Sequence, residues 1–153
     1  MSMLSEQRDT LLRTARSAAA NAQAKHSGFR VGAAVLDDQG RIHPGCNVES
    51  DSYGLTICAE RTAIFGAVAA GARNMLAVAV SCPDAFVRRA HSSSPLQGAE
   101  AAATNLLMPC GACRQVMAER LTPGARVLVD EVGEFSLEEL LPAAFRLPDR
   151  KTE

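Results

Sequence analysis

A chain of 153 residues, 47% of them hydrophobic, is long enough for one sizeable core and too short for two, so a single domain over residues 1–153 is expected. A net charge of −1, with no long run of Lys or Arg to follow a phosphate backbone, argues against a nucleic-acid partner and for a small neutral substrate. The first eight residues carry no apolar signal core and no segment is long enough to span a bilayer, so a cytoplasmic protein with no membrane partner is expected.

In chain order, Ser5 to Ala22 places Leu11, Ala15, Ala18 and Ala22 at helical spacing on one face, with Arg8, Asp9, Arg13 and Arg16 elsewhere; this predicts an amphipathic first helix. The apolar run Phe29 to Leu36 breaks at Asp37-Asp38-Gln39-Gly40, a turn signal, and extended character resumes from Arg41 to Val48, which predicts a hairpin. Thr56 to Ala70 is helical and Ala-rich, with Gly71 placed to stop it. Met75 to Cys82 predicts a buried strand, Cys110 to Arg120 a further helix, and Arg126 to Asp130 another strand. Ser136 and Glu139 form a capping-box pattern at the start of a short last helix that ends before Pro142. Strands alternating with helices predict an α/β architecture, a mixed sheet carrying helices on its faces.

Chemistry concentrates in two short stretches, Cys58-Ala59-Glu60 and Pro109-Cys110-Gly111-Ala112-Cys113. A Cys-x-x-Cys pair supplies two thiolates one helical turn apart, and a third cysteine completes a three-ligand zinc cage with an open fourth position. An acid two residues from a ligand stands beside that opening, and a Pro-Cys-x-x-Cys block downstream is the pattern of zinc deaminases. Cys58, Cys110 and Cys113 all fall near predicted helix N-termini, where the dipole favours thiolates. Three thiolates leave the cluster negative, and Arg61, next to Glu60, is placed to offset this by hydrogen-bonding ligand sulfurs. Glu60 would take the proton of a water and deliver it to substrate. His26, His43 and His91 are not needed as ligands, and Cys46 and Cys82 are expected as small apolar residues.

Around these residues the chain resembles the cytidine deaminase family. The resemblance covers Gly45 through Ala63, including Asn47-Val48-Glu49 and Cys58-Ala59-Glu60, and Pro109 through Val116; Ser27-Gly28-Phe29-Arg30-Val31-Gly32-Ala33-Ala34 is similar to that family's first strand, and Glu139 through Phe145 to its C-terminal motif. It implies a three-layer α/β/α fold with a mixed central sheet of about five strands. It further implies zinc-dependent hydrolytic deamination of cytidine and deoxycytidine at C4, yielding uridine or deoxyuridine and ammonia in pyrimidine salvage. By position, Asn47 and Glu49 would hold ribose hydroxyls, Phe29 would stack on the pyrimidine, and Phe145 would approach it as a second wall. The resemblance also implies a homotetramer whose pockets lie near subunit interfaces, with the segment Asp51 to Tyr53 serving a neighbouring pocket.

Three features depart from the family pattern. Cys58 and Cys110 are 52 positions apart, longer by roughly fifteen to twenty residues than in shorter family members, the excess lying within 83–107. His26 stands where Tyr is usual, and Ser50-Asp51 where Asn-Ala is usual. The insertion favours, as a runner-up, a deaminase of a modified cytosine nucleoside or of an aminoacylated cytosine antibiotic, like the blasticidin S deaminases; Asn47-Val48-Glu49 speaks against it. A third reading is a non-catalytic zinc module in which Cys46 or Cys82 completes four sulfurs. Taken singly, Glu60 is an ordinary first-turn acid, Phe29 and Phe145 are core aromatics, and Asn47 and Glu49 lie on a solvent-facing strand side.

Overall fold

Alternating side chains along three strands explain how one sheet supports helices on both faces. In the computed structural model, which describes residues 5–85 and 105–148, the elements run α1 (Ser5–Ala18), β1 (Gly32–Asp37), β2 (Ile42–Cys46), α2 (Ala59–Ala69), β3 (Met75–Ser81), α3 (Gly111–Arg120), β4 (Arg126–Val129), β5 (Gly133–Ser136) and α4 (Leu137–Leu140). Ala34, Leu36, Ala77, Ala79 and Leu128 point to one face, where Leu11 and Ala15 of α1 cover them. Ala33, Val35, Val78, Val80, Val127 and Val129 point to the other, against Ala63, Ile64 and Ala67 of α2 and Cys113 and Met117 of α3. This is the expected three-layer α/β/α arrangement.

The sheet order is β2-β1-β3-β4-β5, with β3 and β4 parallel and every other pair antiparallel. Five strands match the expected number, although the chain-order pattern identifies only four; β5 is a four-residue edge strand without an apolar run. The first helix gives way to a 3-10 turn at Ala19–Asn21, short of the predicted Ala22. Phe29 to Val31 precede β1 rather than belonging to it. Gly71 follows α2 at φ 86°, a left-handed conformation that glycine adopts without steric cost. Ser136 and Glu139 make both hydrogen bonds of the capping box. Most of residues 83–107, where an insertion is expected, lie outside the described residues, as does His91.

Register decides what the sheet can present at its edge. Gly32 at the start of β1 pairs with Cys46 at the end of β2 and with Ser81 at the end of β3. The segment leading into β1 and those leaving β2 and β3 therefore meet at one end of the strands. At the opposite end of the hairpin, Asp37 is buried, yet its carboxyl lies below the usual range: burial would raise it, but the His43 ring, the Arg41 backbone and guanidinium, and the Gln39 amide outweigh that. His43 is thereby committed to the hairpin.

The helix carrying Glu60 sits directly on β2. A methyl group on Gly45 would meet the Ala63 nitrogen at 2.3 Å and the Ala59 oxygen at 2.7 Å, both backbone atoms that cannot rotate aside. Gly45→Ala is expected to push α2 off the sheet and destabilise the fold by about 1–3 kcal/mol or more. A thermal melt checks the cost, and metal titration checks whether Cys58 moves with the helix.

Candidate active site

Two helix N-termini converge on three sulfurs. Cys58 is the N-cap of α2 and Cys110 the N-cap of α3, both with extended backbone, while Cys113 lies one turn into α3. The Cys58 and Cys110 Sγ atoms are 3.8 Å apart and those of Cys110 and Cys113 3.5 Å. All three sulfurs fall within 4.8 Å of one another. Zinc held tetrahedrally at Zn–S of about 2.3 Å requires sulfurs about 3.8 Å apart, so the spacing fits that ion. Among the described residues Cys46 and Cys82 are not in the cluster, and no fourth protein ligand joins it. Cys82 is buried, and burial pushes its thiol up to about 12, so it stays neutral. Cys46 is half-buried at the end of β2.

The surroundings of Cys58 favour its thiolate. A hydrogen bond with the Cys113 thiol, against the cost of burial, and then one from the Arg61 guanidinium hold Cys58 down to about 5. Cys113 is correspondingly pushed up, by sharing its hydrogen with Cys58 and by burial. Arg61 donates through Nη2 to Cys58 Sγ at 3.6 Å and to the Thr56 carbonyl at 3.3 Å. Its buried Nε has no hydrogen-bond partner among the described residues.

Glu60 occupies the first turn of α2 and is 4% exposed. Burial, reinforced by the Cys58 charge, pushes its carboxyl up to about 7. A surface acid answering a helix dipole would be solvated; this one is enclosed beside three sulfurs and poised between proton acceptor and donor near neutral pH.

The residues assigned to substrate by resemblance are placed unequally. Asn47 is buried, accepting from the Val31 amide at 2.8 Å and donating to the Phe29 carbonyl at 2.9 Å. The Glu49 carboxylate accepts from the His26 amide at 2.6 Å and from the Ser27 amide and hydroxyl, which lower its pKa. Phe29 is half-buried and packs on the same core that Cys58 touches. Phe145 is 68% exposed, its backbone carbonyl accepting from Gln115 of α3 at 2.9 Å. Thus Phe29, Asn47 and Glu49 form one connected unit where β1 begins and β2 ends, and Phe145 stands on the α3 side.

Two of the departures from the family pattern touch each other. His26 Nε2 lies 3.2 Å from Asp51 Oδ1, Lys25 Nζ lies 2.7 Å from the same oxygen, and the His26 and Tyr53 rings meet edge to face at 5.3 Å. Pattern reasoning did not find Ser27 or Asp84, which also hold the Phe29 segment; a link between Arg30 and Asp84 spans 54 positions and leaves no local signal.

A family model described as "Cytidine and deoxycytidylate deaminase zinc-binding region" matches residues 5–127. The chain is 39% identical over 146 residues to the cytidine deaminase of Halalkalibacterium halodurans, covering 93% of this chain and 96% of that protein. It is 42% identical over 137 residues to the cytidine deaminase of Mycobacterium tuberculosis, covering 89% and 87%. The crystal structure of cytidine deaminase from Burkholderia pseudomallei superposes with a TM-score of 0.70 at 39% identity, covering 94% of this chain and all of that one. Sequence and fold thus agree with the geometry of the sulfur cluster and its buried acid, and the chain belongs to the cytidine and deoxycytidylate deaminase zinc-binding family.

Proposed function

We propose that the protein hydrolyses the C4 amino group of cytidine and deoxycytidine, consuming water and releasing uridine or deoxyuridine and ammonia. The observation that carries this reading is Glu60, a buried carboxyl at the rim of a three-sulfur cluster whose fourth position no described residue takes. Cys58, Cys110 and Cys113 would hold zinc, which when bound would supply Lewis acidity toward water at neutral pH. Glu60 holds the proton that water gives up and passes it to the pyrimidine, a task suited to a carboxyl whose pKa burial pushes up to about 7. Arg61 draws charge from Cys58, keeping the cluster a stronger acid. Phe29 stacks on the pyrimidine while Asn47 and Glu49 hold the ribose hydroxyls; that they are already bound to the Phe29 segment supports a pre-organised wall. Phe145 closes the far side.

The protein acts as a homotetramer in this reading. Tyr53, Leu55, Phe65 and Val68, on the turn before α2 and on α2 itself, are large exposed apolar residues that a neighbouring subunit would cover. The test of function is loss of the cytosine absorbance, with ammonia measured in parallel, on zinc-loaded protein given cytidine and deoxycytidine. Stoichiometric ammonia supports the assignment; zinc-bound protein that leaves both nucleosides intact removes it.

A further inference from the structure

We propose that Asp84 is a positioning residue for the pyrimidine-stacking wall at Phe29. The inference rests on cytidine as substrate and on Phe29 as its stacking partner.

The segment 27–31 enters β1 outside any strand, so ladder partners do not fix it. The Gly28 amide and the Val31 carbonyl bond to backbone at Ala24 and Asn47, and the polar groups between them are taken by side chains. The Phe29 amide donates to Ser27 Oγ at 3.0 Å, the Phe29 carbonyl accepts from Asn47 at 2.9 Å, and the Val31 amide donates to Asn47 at 2.8 Å. The amide between them, that of Arg30, donates to Asp84 Oδ2 at 2.9 Å. The Arg30 guanidinium closes on the same carboxylate, Nε to Oδ2 at 3.0 Å and Nη2 to Oδ1 at 2.6 Å. One carboxylate thus receives three hydrogen bonds from one residue, two of them in the planar fork that arginine presents to carboxylates.

The Asp84 side chain is 17% exposed and lies just past β3, which ends at Ser81, whereas Asn47 and Glu49 follow β2. Phe29 is therefore braced from two sides, by the proposed ribose-holding residues on one and by Asp84 on the other. The Arg30 side chain is 51% exposed, so its ion pair alone adds little, and the bond from the Arg30 amide to the same carboxylate is what ties the Phe29 segment to Asp84.

A stacking wall binds pyrimidine about equally before and in the transition state, so its displacement shows in KM rather than kcat. Asp84→Ala is expected to raise KM for cytidine about tenfold with kcat within about twofold of the parent. Arg30→Ala, which keeps the amide bond to Asp84, is expected to raise it only about threefold, and Asp84→Asn, which keeps an acceptor for that amide, to fall between. Zinc content and melting temperature are measured on each variant. Unchanged KM in Asp84→Ala overturns the proposal, as does a fall in kcat that tracks loss of zinc or of folded protein across the three variants. A parent protein that fails to deaminate cytidine overturns the substrate reading instead, whereas an active parent with an indifferent Asp84→Ala strikes the positioning role alone.

Discussion

Glu60→Gln is expected to keep zinc and fold while lowering turnover by about 10²–10⁴-fold, the usual worth of a positioned acid-base group. Glu60 is not in the sulfur cluster, so the substitution removes no ligand. Glutamine has nearly the same shape, so the enclosure on α2 stays filled. It also removes a carboxyl that burial disfavours as an anion, which leaves no charge to desolvate on folding. Metal content and thermal melts should match the parent, with only the chemical step lost. Loss of zinc in this variant would mean that the acid is a ligand and that its assignment as proton carrier is wrong.

Cys113→Ala is expected to act in the opposite order, losing the metal first and activity as a result. Its sulfur is fully buried and lies 3.5 Å from that of Cys110. Two remaining thiols make a poor tetrahedral site. Zinc bound only to the folded chain adds stability by mass action, roughly 2.7 kcal/mol when present at about a hundredfold over its Kd. Removing it should lower the melting temperature by roughly 5–10 °C for a chain of this size. A chelator should reproduce the shift in the parent and leave the variant unmoved. Equal melting of parent and variant in excess zinc would deny the cluster its role in holding metal.

Local chemistry made the cluster legible from sequence. Cys-x-x-Cys at a helix start fixes two sulfurs within one turn, and Glu60 two residues from Cys58 inherits its place from the same helix. Ser136 with Glu139 was equally readable, because a capping box is a contact between near neighbours. Gly133–Ser136 carries two polar residues and sits on the sheet edge, so its pairing with β4 depends on the partner strand and not on its own pattern. Phe29 to Val31 continue an apolar run and look like strand, but Asn47 captures their backbone groups before the ladder begins. The Arg30–Asp84 brace and the His26–Asp51 contact join residues that only the fold brings together. Residues that meet through register are invisible to spacing, whereas those that meet along one helix are not.

Among the described residues no helix is long and apolar enough to cross a membrane. The proposed homotetramer is checked by sedimentation: a mass near four times 16.2 kDa is expected, and a mass near 16.2 kDa would overturn it.

The central claim is an open zinc site with three sulfur ligands from Cys58, Cys110 and Cys113. X-ray absorption at the zinc edge of the metal-loaded protein tests it most directly. Three sulfur scatterers at about 2.3 Å with one lighter atom are expected, the lighter atom marking the position where water is activated. Four sulfur scatterers would show a closed structural site and contradict the account.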